Sequence, residues 1–248
     1  MFDMQLNING FDVRARYTQG TIERVFRPIC TRLNDMYKTA SRPQIALLAA
    51  PPGAGKSTLA HALGVYAREE GLSPIAALGM DGFHYRNEYL RTHTDENGTL
   101  LSSIKGAPST YDLNKLIDAI KQLHTGKCMW PIYDRNAHEP SPNPMQVSGG
   151  IFIVEGNWLM LDAPVWRELK DMCDISIGID ADEDLLMPRL IARKVRGGMD
   201  ENDAREFCMR SDLDNIRLYE SRKLPCDIEL KQAQSDGAIE LIPLSGLC

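Results

Sequence analysis

The chain has 248 residues, of which 43% are hydrophobic and 25% charged, as in an ordinary globular protein that buries a full core. Its formal net charge of −6 argues against a protein that mainly coats nucleic acid or an anionic membrane. The six cysteines are scattered without a C-x-x-C pair, no apolar run is long enough to cross a bilayer, and the N-terminus does not resemble a signal peptide. We therefore expect a cytoplasmic protein.

The first 42 residues are predicted to form an appendage to the main domain. Apolar and polar residues alternate on both sides of Asn9-Gly10, which favours a tight turn, so residues 4–17 are predicted to form a β-hairpin. Apolar residues at helical spacing then predict a helix from Thr21 to Ala40, which Pro28 kinks or restarts.

Residues 43–248 are predicted to form one α/β domain. The apolar run IALLAA, residues 45–50, is typical of a strand that is buried on both faces of a parallel sheet. Strands and helices then alternate, with strands predicted at 74–80, 150–156, 173–180, 227–231 and 239–244, and helices after Ser57 and at 113–126, 182–196 and 201–221. This order predicts a doubly wound, mostly parallel sheet.

The stretch between the first core strand and the next helix, Ala50 to Ser57, matches the phosphate-binding P-loop pattern, with Ala50 in place of the usual first glycine. Its glycines let backbone N–H groups turn inward, and the helix adds the positive end of its dipole. We predict that Lys56 reaches the β and γ phosphates of a nucleotide and that Ser57 binds Mg²⁺. A glycine-rich turn without a ligand is the alternative, which the Lys-Ser pair between strand and helix disfavours. The predicted phosphate-binding residues are Pro52, Gly53, Ala54, Gly55, Lys56, Ser57 and Thr58.

Asp81 directly follows the second core strand, in the stretch GMDGFHYRN. Ligands of open α/β sheets bind at the carboxyl ends of strands, so Asp81 is placed to take a proton from a hydroxyl that attacks the γ-phosphate, or to help hold Mg²⁺. The structural alternative is an aspartate that caps a turn before Gly82. Phe83, His84 and Tyr85 favour the functional interpretation, because an acceptor needs a wall and hydrogen-bond partners, although His84 alone also fits a surface histidine.

Glu155 ends the apolar run IFIV and is predicted to lie at the same sheet edge, where it can orient Mg²⁺ or its water. An exposed acid at a strand end is the alternative, but Gly156 indicates a close backbone approach there.

Two other nucleotide-binding classes fit poorly. NKLID at 114–118 has its aspartate one residue too late for a GTPase motif, and VSGG at 147–150 precedes a strand instead of opening the helix of an ABC-type ATPase.

Several stretches resemble the superfamily of phosphoribulokinase, uridine kinase and bacterial pantothenate kinase, over about residues 43–230: Ala50–Ser57, Asp81-Gly82-Phe83, Tyr133-Asp134 with His138, and Glu155-Gly156. KGAPSTYD at 105–112 is similar to pantothenate kinases, whereas PIYDRNAH at 131–138 is similar to uridine kinases. The combination most resembles kinase-like proteins that are described as nucleoside/nucleotide kinase family or fructose-transport-system kinases.

The resemblance implies a P-loop NTPase fold, ATP and Mg²⁺ as cofactors, Asp81 as general base and Glu155 near the metal. It also implies an arginine-rich lid. Arg189, Arg193 and Arg196 match this lid at spacings that place them on one helix face, although a solvated basic face is the alternative. We expect Arg193 to act in catalysis together with Lys56 and Asp81, and Arg189 and Arg196 to bind the nucleotide.

Six residues are candidates for the acceptor pocket: His84, Tyr85, Lys105, Tyr133, Asp134 and His138. For the last four, turn chemistry near Pro131 and Pro140 is a nearly equal alternative. We predict an ATP-dependent kinase that transfers the γ-phosphate to a hydroxyl of a sugar, nucleoside or pantothenate-like acceptor. The alternative is a nucleotide-dependent regulatory or assembly ATPase without an acceptor. We expect no nucleic-acid or membrane partner, and homo-oligomerisation stays open.

Overall fold

The structure is a computed structural model that describes residues 1–8, 11–135, 137–235 and 237–247. Its strands are β1 Phe2–Ile8, β2 Phe11–Tyr17, β3 Gln44–Ala49, β4 Ile75–Gly79, β5 Lys127–Trp130, β6 Tyr133–Asp134, β7 Glu139–Pro140, β8 Met145–Ser148, β9 Ile151–Gly156, β10 Ile175–Asp180, β11 Ile228–Ser235 and β12 Ala238–Ser245. Its α-helices are α1 Gln19–Thr21, α2 Arg27–Ala40, α3 Lys56–Glu69, α4 Asn87–Leu90, α5 Leu113–Leu123, α6 Glu183–Arg196, α7 Glu201–Phe207 and α8 Leu213–Arg222. None of the helices in the described residues is long and apolar enough to cross a membrane.

The central sheet has the strand order β1-β2-β12-β11-β10-β3-β9-β4. The strands from β4 through β11 in this order run parallel to their neighbours, which confirms the predicted mostly parallel α/β fold. β3 lies between β9 and β10, and all six of its residues are buried because helices cover both faces of the sheet. The apolar run that predicted this strand therefore follows from its central position.

Two hydrophobic clusters fill the faces of the sheet. One joins alternate residues of β3 to α2, α3 and α6, and the other joins the intervening residues to α5, α8 and the segment after β9. Trp130, Trp158 and Trp166 are buried in the second cluster, which confirms core as their default role. Two of their indole N–H groups donate to backbone carbonyls, Trp130 to Gly79 at 2.9 Å and Trp158 to Gly106 at 2.8 Å.

Residues 1–42 extend the central sheet. The predicted hairpin is present as the antiparallel pair β1–β2, and its turn residues Asn9-Gly10 lie outside the described residues. β2 pairs with β12 at Tyr17 and Ile239, so the hairpin continues the sheet. A π-helical segment, Ile22–Phe26, then leads directly into α2, whose first turn contains Pro28. Because proline has no N–H to donate to the preceding turn, the change of helix type falls next to this residue. This is the predicted restart of the helix.

The sequence missed the short strands. β5 pairs with β8 and β6 pairs with β7 in separate two-stranded sheets, which have too few residues to show a period. The last two strands, β11 and β12, form an antiparallel hairpin, while the other edge of β11 pairs parallel with β10 over Ile228–Lys231. The sheet is therefore mixed at this side, between β10 and the N-terminal hairpin.

Candidate active site

The phosphate-binding loop lies between β3 and α3, as the sequence predicted. Gly53 and Gly55 have φ angles of 85° and 79°, which lie in the left-handed region that glycine adopts readily. A Cβ on Gly53 would also lie 3.1 Å from Leu190 of α6, so the loop packs closely under that helix. α3 begins at Lys56, one residue earlier than predicted, and Thr58 is half-buried in its first turn. The first-turn N–H groups of α3 are therefore available to bind an anion.

Lys56 is nearly buried, with 8% of its surface exposed, and its ammonium donates to the Pro51 carbonyl at 3.2 Å. Burial lowers the pKa of Lys56 to about 8, although the carboxylates of Glu155 and Asp81 act in the opposite direction. A bound anion beside the ammonium would raise the pKa of Lys56 again and favour its charged form. The site is therefore suited to an anionic ligand such as a triphosphate.

Glu155 lies at the carboxyl end of β9, beside the loop. In the sheet register it is opposite Leu48 of β3 and Gly79 of β4, so the three strands end side by side. Its carboxylate accepts a 2.7 Å hydrogen bond from the Ser57 hydroxyl. Burial raises the pKa of Glu155, against the charge of Lys56. The two predicted metal ligands are thus in direct contact.

Gly156 lets the turn that follows β4 pack closely on the end of β9. A Cβ on Gly156 would lie 2.6 Å from the Cβ of Met80, closer than side chains tolerate. The close approach expected at this glycine is therefore present, and the atoms nearest to it belong to the Met80 side chain.

Asp81 lies in the 3₁₀ turn Met80–Phe83, which directly follows β4. Gly82 makes this turn possible, because a Cβ there would lie 2.1 Å from the Pro131 carbonyl oxygen. The Asp81 carboxylate forms an ion pair with Arg135 at 3.1 Å and accepts a long 3.4 Å hydrogen bond from the Tyr111 hydroxyl. The side chain is 36% exposed, so solvent reaches part of the carboxylate while the rest is covered by protein.

The electrostatics separate the two carboxylates of the site. Burial would raise the pKa of Asp81, but the charges of Arg135 and Lys56 outweigh it and hold this pKa below its ordinary value. The pKa of Glu155 is raised instead, with burial as the main cause. Asp81 is therefore ionised at neutral pH and able to accept a proton.

The predicted acceptor residues divide into two groups. His84 stacks on Tyr111 with ring centroids 3.8 Å apart and lies 5.6 Å from the Tyr133 ring. Lys105 lies over the same Tyr133 ring at 5.5 Å and donates to the backbone carbonyl of His138. These three rings and the lysine form one wall beside Asp81, which the Tyr111 hydroxyl contacts directly.

The other acceptor candidates make different contacts. Tyr85 stacks on Tyr89 at 4.4 Å, which in turn stacks on His93 at 3.6 Å, so its ring belongs to an aromatic stack on α4 and the following turn. Asp134 is exposed, and one carboxylate oxygen accepts from the Ala137 N–H at 3.1 Å. The latter contact is the turn chemistry that was the alternative for this stretch.

The predicted lid is helix α6, which runs from Glu183 to Arg196 through Pro188. Arg189 donates to the Gln232 side chain at 3.1 Å and reaches the Gly53 carbonyl at 3.5 Å. Arg193 is exposed, and its charge acts on both Lys56 and Asp81. Arg196 is exposed and bonds to its own helix through the Ala192 carbonyl at 3.4 Å. In this conformation, Arg189 contacts the phosphate loop, and Arg193 lies within electrostatic range of Lys56 and Asp81.

The sequence analysis missed Arg135 and Tyr111, which contact the Asp81 carboxylate from two other segments. Both lie within stretches that were quoted for their resemblance, YDRNAH and KGAPSTYD. The signal that could have identified them is an arginine and a tyrosine within motifs that already predicted an acceptor pocket. Their contact with Asp81 depends on chain folding and has no spacing that would reveal it.

The fold and these contacts define a nucleotide-binding protein of the P-loop class, with Asp81 at the same edge of the sheet as the phosphate loop. A model of the "Phosphoribulokinase / Uridine kinase family" matches residues 45–210. The protein YggC of Escherichia coli K12, described as uncharacterized, is 38% identical over 233 residues, which are 92% of this chain and 96% of that protein.

Two further proteins are similar to this chain over most of its length. A candidate uridine kinase of Schizosaccharomyces pombe is 29% identical over 193 residues, which are 75% of this chain and 81% of that protein. A solved structure from Silicibacter sp. TM1040, described as a candidate fructose transport system kinase, is 30% identical with a TM-score of 0.69, and covers 79% of this chain and 98% of its own. The chain belongs to the phosphoribulokinase / uridine kinase family and is a P-loop kinase.

Proposed function

We propose that this protein is an ATP-dependent kinase that transfers the γ-phosphate to a hydroxyl group of a sugar, nucleoside or pantothenate-like acceptor. The observation that carries the proposal is the convergence of Lys56, Glu155 and Asp81 at the carboxyl ends of β3, β9 and β4. Phosphoryl transfer needs mainly positioning and charge stabilisation, and these strand ends supply a cation, a metal ligand and a base.

Asp81 is the general base in this proposal. Its low pKa keeps it ionised, and Arg135 at 3.1 Å fixes one carboxylate oxygen. The other oxygen, which receives the long 3.4 Å bond from Tyr111, is then available for the acceptor hydroxyl. As the hydroxyl oxygen attacks the γ-phosphorus, its proton passes to Asp81, and the bond between γ-phosphorus and the bridging oxygen of ADP breaks.

The hydrogen-bond donors and oxygen ligands of the site support ATP and Mg²⁺ as the cofactors. Lys56 and the N–H groups of residues 52–58 suit the β and γ phosphates of ATP. The Ser57 hydroxyl and the Glu155 carboxylate, 2.7 Å apart, are the hard oxygen donors that Mg²⁺ prefers. When bound there, Mg²⁺ would neutralise charge on the phosphate oxygens. Arg193 of the lid would add a second cation from the opposite side, and Arg189 and Arg196 would complete the nucleotide contacts.

The test is Asp81→Asn, assayed by ADP release and by mass spectrometry of the product over a panel of sugars, nucleosides and pantothenate analogues. We expect kcat to fall by about 10²–10⁴-fold, since a positioned base contributes this much, while the Kd of ATP changes little. Asp118→Asn on the exposed face of α5 is the matched control and should retain activity.

Two results would count against the proposal. Acceptor phosphorylation by Asp81→Asn at the wild-type rate, with unchanged ATP binding, would show that Asp81 is not the base. A failure of every acceptor, together with a protein partner whose affinity depends on the bound nucleotide, would favour a regulatory or assembly ATPase.

A further inference from the structure

Lys105 carries a positive charge that no carboxylate balances at close range within the described part of the chain. Its ammonium is half-buried beside the Tyr133 ring and donates to the Asn87 side-chain carbonyl at 2.8 Å and to the His138 backbone carbonyl. Both oxygens are uncharged. Burial lowers the pKa of Lys105, which shows that the folded protein holds this cation at some cost.

The surrounding charges increase the imbalance. The carboxylate that acts most strongly on Lys105 is Glu139. It also forms an ion pair with the Arg86 guanidinium at 3.6 Å and accepts from the backbone N–H of Asn87 at 3.4 Å. Arg91, which is exposed, adds a further positive charge that opposes the charge of Lys105. Positive charge therefore collects in this corner of a protein whose overall charge is −6.

This corner lies next to Asp81. Lys105 and His84 both lie beside the Tyr133 ring, at 5.5 and 5.6 Å from its centroid. The Tyr111 ring stacks on His84, and its hydroxyl donates to the Asp81 carboxylate at 3.4 Å. Burial lowers the pKa of His84 to about 4, so this imidazole is neutral and contributes no charge of its own. Since the triphosphate would engage Lys56 and Arg193, Lys105 is the cation left for the other substrate.

We propose that the acceptor carries an anionic group, a carboxylate or a phosphate ester, and that Lys105 with Arg91 binds this group while the reacting hydroxyl lies at Asp81. This inference rests on the proposed kinase function and narrows it, because a neutral nucleoside or free sugar would leave both cations unmatched. The neutral His84 imidazole would then offer a ring nitrogen to an intervening hydroxyl of the same acceptor.

The experiment compares acceptors in pairs that differ in the anionic group: glycerol with glycerate, and ribose with ribose 5-phosphate. The first pair tests a carboxylate and the second a phosphate ester. We expect the charged member of at least one pair to have a kcat/KM at least tenfold above its neutral partner, because a charge-assisted hydrogen bond has about this effect. Product identity is confirmed by mass spectrometry.

Lys105→Gln should remove this preference by raising the KM of the charged acceptor about 10–100-fold, at least tenfold more than any change in the KM of the neutral partner. Arg91→Gln should act in the same direction by a smaller factor, since it is exposed. Lys121→Gln, which changes an exposed lysine of α5, is the matched control. The Kd of ATP and the circular dichroism spectrum confirm that each variant is folded.

The outcomes separate the two proposals. Equal use of charged and neutral acceptors, or an equal loss on both in Lys105→Gln, would overturn the anionic acceptor and leave the kinase function standing. A preference that survives in Lys105→Gln would also overturn it. If no acceptor of either kind is phosphorylated although ATP binds, the kinase function itself fails, and the inference fails with it.

Discussion

The depressed pKa of Lys56 makes nucleotide binding a proton-linked event. In the free protein this pKa is about 8, because the side chain is 8% exposed, whereas an unperturbed lysine has a pKa of 10.5. Bound phosphates would bring the pKa back toward its ordinary value or above it. At pH 9 roughly nine-tenths of the free protein has a neutral Lys56, so ATP binding should take up about 0.9 proton. At pH 7 the uptake should be about 0.1 proton.

The same numbers predict two trends of opposite sign. The affinity for MgATP should fall about tenfold between pH 7 and pH 9, since binding must then recharge the lysine. The free energy of unfolding should instead rise between pH 8 and 10.5, because the unfolded chain binds more protons there. Lys56 should contribute about 3 kcal/mol to this rise in the free energy of unfolding. This amount is the penalty for burying the charged lysine, and the penalty disappears once the folded lysine is neutral.

Isothermal titration calorimetry in two buffers with different ionisation enthalpies measures the proton uptake at each pH, and urea unfolding measures the stability. Lys56→Gln should lose both pH trends, whereas Lys121→Gln on the exposed face of α5 should keep them. An uptake below about 0.3 proton at pH 9 in the wild type, or the same uptake in Lys56→Gln, would refute the assignment of the proton to this lysine.

Two further predictions concern packing around the site. Gly82→Ala places a Cβ 2.1 Å from the Pro131 carbonyl oxygen, so we expect about 3 kcal/mol of destabilisation and roughly 100-fold lower kcat/KM in urea and ADP-release assays. Gly20→Ala, whose Cβ meets only the flexible end of an arginine, should change neither; equal behaviour of the two variants would contradict the steric reasoning. Asp212→Asn breaks a poorly exposed 3.1 Å ion pair with Lys194 of the lid helix, so Tm should fall by roughly 6–12 °C; a change within 1 °C in differential scanning calorimetry would rule this out.

The sequence located the phosphate loop and both carboxylates because each lies at the end of an apolar run that predicts a strand. Strand ends are visible as the end of an apolar run, and parallel strands bring their carboxyl ends to one edge of a sheet. Asp81 and Glu155 could therefore be placed near Lys56 without knowing the strand order. The observed register, with Gly79 opposite Glu155, supplies the alignment that the sequence left open.

The acceptor side was less predictable, because its residues come from loops whose contacts are set by tertiary packing. Tyr85 follows His84 in sequence, yet its ring stacks on Tyr89, whereas the His84 ring stacks on Tyr111. Adjacent residues in an extended segment point in different directions, and a motif alone does not say which one faces the ligand. Arg135 was missed for the same reason, since its partner is 54 residues away along the chain.

Phe26, which lies in the π-helical segment of the N-terminal region, packs edge-on against Tyr66 of α3 at 5.8 Å. The same helix α3 begins at Lys56 and presents its first turn to the cleft. A shortened version of the chain that starts at β3 would uncover an apolar flank on the helix that anchors the phosphate loop. The N-terminal region thus packs on the helix that carries Lys56, at a distance from the cleft side of that helix, and Phe26 makes this contact.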